Sequence, residues 1–242
     1  MSETVLKVDA LWKRFGGFVA LSEVSIGVRS GERLGIIGPN GSGKTTLINC
    51  ICGALRSDQG SIRFDGKDVT RLPTYRRTRL GIARSFQIPR PFISMTVADN
   101  VAVALEYVAR RIARFNGDED DQIHQILSRM GLEAKAQASA GALTQVDLRK
   151  LELARALATR PSLLILDEVM AGLSASEVDE MLAIVLQLNA DGVTVIMIEH
   201  IMRAIMRFSQ RVVCFDAGRV IAEGTPEQVI DNPNVQRVYL GG

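Results

Sequence analysis

Apolar positions along the chain fall into two periods. Short β-type runs at residues 32–37, 162–167, 193–199 and 211–215 read as strands, with helical patterns between several of them. Alternation of this kind predicts a largely parallel sheet. Shorter β-rich stretches at residues 6–11, 24–28 and 62–64, with a turn at Asp65-Gly66, predict an added antiparallel portion near the N-terminus. Ala217-Gly218-Arg219 reads as a hairpin turn.

Between residues 90 and 157 the character changes to helix. Val97, Val101, Leu105, Val108, Ile112 and Phe115 recur at three- or four-residue steps, after a Thr96/Asp99 capping box and before a stop at Gly117. A second helix is predicted over residues 119–130, with Gly131 at its end. Asp118, Glu119, Asp120 and Asp121 stand at its start, where the helix dipole favours acids over a metal site. No internal repeat and no Pro/Ser/Gly-rich linker intervenes, so the helical segment reads as an insertion within one core.

Composition narrows the function classes. At 242 residues the chain can form one large domain. Its 29 basic and 27 acidic residues nearly cancel to +2, so bulk attraction to nucleic acid is not indicated and no nucleic-acid partner is expected. Met1-Ser2-Glu3-Thr4 is not a basic-then-apolar leader, and no run approaches ~18 apolar residues. The expectation is a soluble, cytoplasmic chain. Cys50, Cys52 and Cys214 are odd in number and lack metal-ligand spacing, so they read as buried small hydrophobes.

The strongest chemical signal follows the 32–37 strand: Gly38-Pro39-Asn40-Gly41-Ser42-Gly43-Lys44-Thr45-Thr46. Gly38, Gly43, Lys44 and Thr45 meet the pattern GxxxxGK[ST], in which glycines let the backbone approach a phosphate and its amides point at the oxygens. Lys44 would neutralise the β and γ phosphates, and Thr45 would place its hydroxyl on Mg²⁺. A plain glycine turn explains neither Lys44 nor Thr45. Asp167 and Glu168 follow an apolar strand, at the end where nucleotide-binding folds keep ligands. Asp167 suits the Mg²⁺ shell and Glu168 suits water activation. His200, after the next strand, could contact the γ phosphate or position attacking water. Taken alone it reads as a satisfied structural histidine, and His124 on the insertion helix keeps that reading.

Together these residues resemble the ATPase subunits of ABC transporters over nearly the whole chain. Residues 38–46 look like Walker A and residues 163–167 like Walker B; Glu168 matches the catalytic glutamate and His200 the switch histidine. Gln87, in Ala83-Arg84-Ser85-Phe86-Gln87, matches the glutamine that senses Mg²⁺ and the transmembrane partner. Phe15 matches the aromatic that stacks on adenine, and Ala171-Gly172-Leu173-Ser174 looks like the D-loop, with Ser174 and Glu177 capping the next helix. The resemblance implies an α/β fold, a P-loop ATPase core with a mostly parallel sheet, an N-terminal antiparallel β portion and an inserted helical subdomain. One domain would span residues 1–242, with its core at 1–89 and 158–242 and the helical subdomain, including the signature region, at 90–157.

Arg14-Phe15-Gly16-Gly17, residues 83–87, residues 151–157 and the tail from Ala222 to Gly241 look most like ATPase subunits of branched-chain amino-acid importers, a subgroup that includes urea and other small polar substrates. ATP and Mg²⁺ are the implied cofactors. Transmembrane permease subunits and a second ABC ATPase are the implied partners, with the chain peripheral at the cytoplasmic membrane face. Permease contacts are expected near Gln87, at Arg84, Ile88, Arg90 and Phe92. The alternative is a cytoplasmic ABC-type switch that binds another protein without moving solute.

The resemblance breaks at the signature LSGGQ, where this chain has Leu143-Thr144-Gln145-Val146-Asp147. Both glycines are absent. Thr144 keeps the hydroxyl that would serve the opposing subunit's ATP, but Asp147 would set a carboxylate near that helix terminus and disfavour a polyphosphate. One reading is tolerated family variation, with the backbone amides still reaching the ligand; the other is a weakened face, which implies a heterodimeric partner with a stronger signature and two unequal ATP sites, with a homodimer left open. Val169 stands where the family has proline after the catalytic glutamate.

Overall fold

The computed structural model describes residues 3–85, 89–109 and 118–240; Gln87, Ile88, Ile112, Phe115 and Gly117 lie outside them. In chain order the elements are β1 (Thr4–Phe15), β2 (Phe18–Arg29), β3 (Arg33–Ile37), α1 (Lys44–Cys52), β4 (Gln59–Phe64), β5 (Lys67–Asp68), α2 (Thr74–Leu80), β6 (Ile82–Ser85), α3 (Val97–Ala109) and α4 (Glu119–Arg129). They continue with α5 (Gln145–Ala158), β7 (Leu163–Asp167), α6 (Ala175–Ala190), β8 (Thr194–Ile198), α7 (Met202–Phe208), β9 (Arg211–Asp216), β10 (Arg219–Gly224), α8 (Pro226–Ile230) and α9 (Pro233–Leu240).

Among the described residues the strands form two sheets. An antiparallel sheet runs β2-β1-β4-β5, and a mixed sheet runs β10-β9-β3-β8-β7-β6, parallel throughout except for the β9/β10 hairpin. The inner strands of the mixed sheet are apolar on both faces because both faces are covered. Leu34, Ile36, Leu163, Ile165, Ile196, Ile198, Val213 and Phe215 join a core with α1 and the antiparallel sheet. Their alternates Leu164, Leu166, Val195, Met197, Val212 and Cys214 face a second core with α5, α6 and the helical segment. A one-residue register slip would exchange these two sets, so the period of two fixes the register.

Helix boundaries follow their caps. Thr96 and Asp99 exchange the two bonds of a capping box at 3.0 and 3.1 Å before α3, and Ser174 with Glu177 does the same before α6. Asp118 caps α4. Arg77, 1% exposed, donates to the carbonyls of Cys50 and Ile51 at 2.6 and 2.7 Å and so closes the C-terminus of α1. All three cysteines are buried and free, with burial pushing each thiol up to about 11.

Candidate functional site

The strand registers bring the chemistry to one edge. Ile36 pairs with Ile198, and Ile198 pairs with Asp167, so β3, β8 and β7 end level with one another. The loop after β3, Asp167-Glu168 after β7 and Glu199-His200 after β8 therefore meet at the carboxyl ends of adjacent parallel strands.

The loop holds a shape only glycine permits. Gly38 has φ +148, and a Cβ there would lie 2.3 Å from the Phe215 carbonyl oxygen. Gly43, with φ +107, would meet the Ala20 carbonyl oxygen at 2.6 Å. Gly43 also caps α1, whose first turn presents its free amides to the same space. Lys44 folds back over the loop, its Nζ donating to the carbonyls of Gly38 at 2.7 Å and Pro39 at 2.9 Å. Burial lowers the Lys44 pKa, opposed by the nearby carboxylates of Glu168 and Asp167.

A cavity of about 210 Å³ opens over this loop, lined by Phe15, Phe18, Asn40, Lys44, Thr45 and Glu168 among others. Pro39 stays at the loop's turn, where its carbonyl accepts from Ser42 N–H at 3.2 Å, while Gly41, Ser42, Gly43 and Thr46 complete the lining. The two phenylalanines pair across the β1/β2 hairpin and are 47% and 62% exposed, enough for a flat ring to stack on them. Phe18 was not singled out from sequence. Its signal was the turn Gly16-Gly17, which makes the aromatics on either side cross-strand neighbours.

Each acid at the edge already has a cationic or imidazole neighbour. Asp167, buried at the end of β7, accepts from Arg84 at 2.6 Å, and Arg84 also donates to Asn49 Oδ1 at 2.6 Å. Glu168 Oε1 lies 2.8 Å from His200 Nε2. Arg84, expected from sequence as a permease contact, thus also reaches Asp167. A charged side chain in the otherwise small and apolar β6 is the signal that a buried partner exists.

These positions form the constellation of a phosphate-transferring P-loop enzyme, and comparison with known proteins decides which one. A family model described as ABC transporter matches residues 21–171, and a second, described as branched-chain amino acid ATP-binding cassette transporter, matches residues 219–242. The chain belongs to the ABC transporter family. This cassette is similar to the high-affinity branched-chain amino acid transport ATP-binding protein BraF of Pseudomonas aeruginosa, at 38% identity over 100% of this chain and 99% of that protein. It is 36% identical to the corresponding protein LivG of Escherichia coli K12, with the same coverage. Among solved structures, a nucleotide-free ATP-binding cassette of an ABC transporter superposes with a TM-score of 0.89 at 32% identity, covering 99% of this chain and 100% of that one. The ADP conformation of an ABC transporter cassette gives 0.88 at 32% identity, covering all of both chains.

Gln87 falls outside the described residues of the cassette. Thr144 is the N-cap of α5 and is absent from the lining of the Lys44 cavity. Its hydroxyl donates to Asp147 Oδ2 at 2.7 Å and accepts from Asp147 N–H at 3.3 Å. The expectation of a repelling carboxylate needs correction here: Asp147 is buried and Lys135 Nζ lies 2.5 Å from it. Burial pushes its pKa up, but the bonds from Lys135 and Thr144 outweigh that and hold it below the usual carboxylate range. Its charge is matched within the chain rather than presented to a ligand.

Proposed function

We propose that this chain is the ATP-binding and ATP-hydrolysing subunit that powers an ABC importer for branched-chain amino acids or a related small polar solute. The observation that carries the proposal is the meeting of the Lys44 loop, Asp167, Glu168 and His200 at one sheet edge in a chain whose tail matches the branched-chain amino-acid subgroup. Backbone amides of residues 41–46 and Lys44 hold the phosphates, and Phe15 with Phe18 flanks the base. Glu168 polarises the attacking water and His200 orients it together with the γ phosphate.

Thr45 and Asp167 supply one hydroxyl and one carboxylate, the hard oxygen set that Mg²⁺ accepts alongside substrate phosphates and water. Among the described residues no cluster of three His, Cys, Asp or Glu forms a separate metal site. When bound there, Mg²⁺ would neutralise developing phosphate charge. Gln87, following β6, is assigned to sense that metal and the permease.

The division into a core of residues 1–89 and 158–242 and a helical subdomain of residues 90–157 is the one we adopt. Between them a groove of about 350 Å³ is lined by Arg84, Phe92, Val103, Tyr107, Glu152 and Arg155. Phe92, Val103 and Tyr107 are exposed there, which suits an apolar helix end from a permease. Among the described residues no helix is long and apolar enough to cross a membrane, so attachment to the cytoplasmic face would run through this groove. Gln145 and Val146 in place of signature glycines favour a different ATPase chain as partner over a second copy, with two unequal ATP sites.

The test is purification from native membranes with identification of co-purifying chains, then ATP-driven uptake of leucine and urea in vesicles of the complex. Recovery of a multi-span permease and uptake of one solute is the expected result. Recovery of soluble partners alone refutes the importer reading.

A further inference from the structure

The turn that carries Glu168 is strained. Glu168 sits at φ +51, a backbone conformation that L side chains keep only where their surroundings over-determine it. Val169, the next residue, neither fixes φ nor removes an amide. The stiffness of this turn must come from contacts.

Two are backbone bonds: Glu168 N–H donates to the Ile198 carbonyl at 2.9 Å, and Ala171 N–H donates to the Glu168 carbonyl at 3.3 Å. The third is a side chain. Glu199, 1% exposed, accepts from Met170 N–H at 2.8 Å. Arg149 of α5, 8% exposed, reaches the next carbonyl, that of Ala171, at 3.5 Å. Glu199 is the residue before His200, so one buried carboxylate stands between the turn bearing Glu168 and the turn bearing His200.

We propose that Glu199 is a positioning residue for hydrolysis, holding the Glu168–Met170 turn through the Met170 N–H and thereby setting Glu168 against His200. It does not touch the reacting atoms. The proposal rests on the reading of Glu168 as the residue that activates water.

The charged groups facing Glu199 are Arg149 from α5 and Glu168 from the end of β7. Burial foremost, with Glu168 adding to it, pushes the Glu199 pKa up to about 7, against backbone bonds from Met170 and His200 and the charge of Arg149. The carboxylate therefore ionises within the working range of an enzyme assay, and an ionised acceptor holds an N–H more strongly than a neutral one.

The experiment measures kcat and KM for MgATP, and the melting temperature, for the 242-residue chain and its Glu199→Ala, Glu199→Gln and Glu168→Gln variants at about pH 6 and about pH 8. Glu199→Ala should lower kcat about tenfold or more while KM moves less than about threefold, because the Lys44 loop is untouched. Glu199→Gln keeps a neutral acceptor at the same place. It should match wild type within about twofold at the lower pH and fall about threefold or more behind at the higher. A kcat for Glu199→Ala within about twofold of wild type overturns the proposal, as does Glu199→Gln being as slow as Glu199→Ala at the lower pH. If Glu199→Ala does not fold, the wild-type to Glu199→Gln ratio decides: the same ratio at both pH values overturns the proposal. Loss of turnover in Glu168→Gln upholds the reading beneath it, and wild-type turnover in that variant removes that reading and the proposal together.

Discussion

Replacing Arg84 by methionine isolates the most consequential pairing at the site. Arg84 and Asp167 are 2.6 Å apart with side chains 14% and 6% exposed, so the substitution leaves a buried carboxylate without its guanidinium. Breaking a buried pair from one side costs about 3–5 kcal/mol. Lys44, whose charge also senses Asp167, places the loss at the lower end, about 3 kcal/mol. For a chain of this size that is a fall in melting temperature of roughly 6–12 °C. In the proposed reading Mg²⁺ bound with ADP would supply a new positive charge beside Asp167, so the ligand should stabilise the variant more than the wild type. Thermal unfolding followed by circular dichroism, with ADP plus Mg²⁺ and with ADP plus a chelator, reads both effects. A fall of less than about 2 °C, or equal Mg²⁺-dependent shifts in both proteins, refutes the reasoning.

Three further outcomes follow from the same geometry. Glu168→Gln keeps a hydrogen-bonding group opposite His200 but removes the proposed base, so single-turnover hydrolysis should slow by about 10²-fold or more while equilibrium ATP binding is retained. Tyr239→Phe removes the hydroxyl that accepts from Gly38 N–H at 2.7 Å; calorimetry should show ADP binding weakened about threefold to tenfold, with water limiting the loss because Tyr239 is 41% exposed. Glu199 has a raised pKa in the folded chain, about 7 against an ordinary 4.5, so its favourable contribution is full below the unfolded value and is lost as pH rises through 7. Glu199→Gln should therefore gain on wild type in unfolding free energy between about pH 5 and pH 8, by on the order of 2–3 kcal/mol in denaturant titrations, and a pH-independent gap would count against it.

What was legible in the sequence is what local chemistry dictates. The loop from Gly38 to Thr46 is readable because phosphate binding demands glycine, lysine and threonine at fixed spacing, and the structure shows why each glycine is needed. Four of the five strands in parallel pairings, β3, β7, β8 and β9, were readable from their doubly apolar runs; β6 was not, because Arg84 and Ser85 occupy half of its four residues. The hairpin of β1 and β2 was predicted as two short stretches, whereas each strand runs to twelve residues, because register shifts and the positive φ of Ala10 and Glu23 interrupt the period of two. Helix α2 escaped notice: it has seven residues, four of them Arg or Tyr, and buries Arg77 instead of an apolar stripe. The unseen site contacts join distant positions, Arg84 to Asp167 over 83 residues and Tyr239 to Gly38 over 201, and no local period encodes such a pairing.

Those long-range contacts share one logic. Lys44 rests on the carbonyls of Gly38 and Pro39, Asp167 on Arg84, Glu168 on His200, and Asp147 on Lys135. Each charge that the ATPase reading uses, and the one at its divergent signature, thus has a partner inside the chain, which offsets part of the desolvation cost where the group is buried. Ligand binding at such a site exchanges partners instead of adding contacts, so its affinity is a difference between two sets of bonds. That difference gives the Arg84 substitution its opposite effects on the chain alone and on its Mg²⁺ complex. Arg84 also lines the groove assigned to the permease, so a partner that draws the guanidinium toward itself would free Asp167 for the metal.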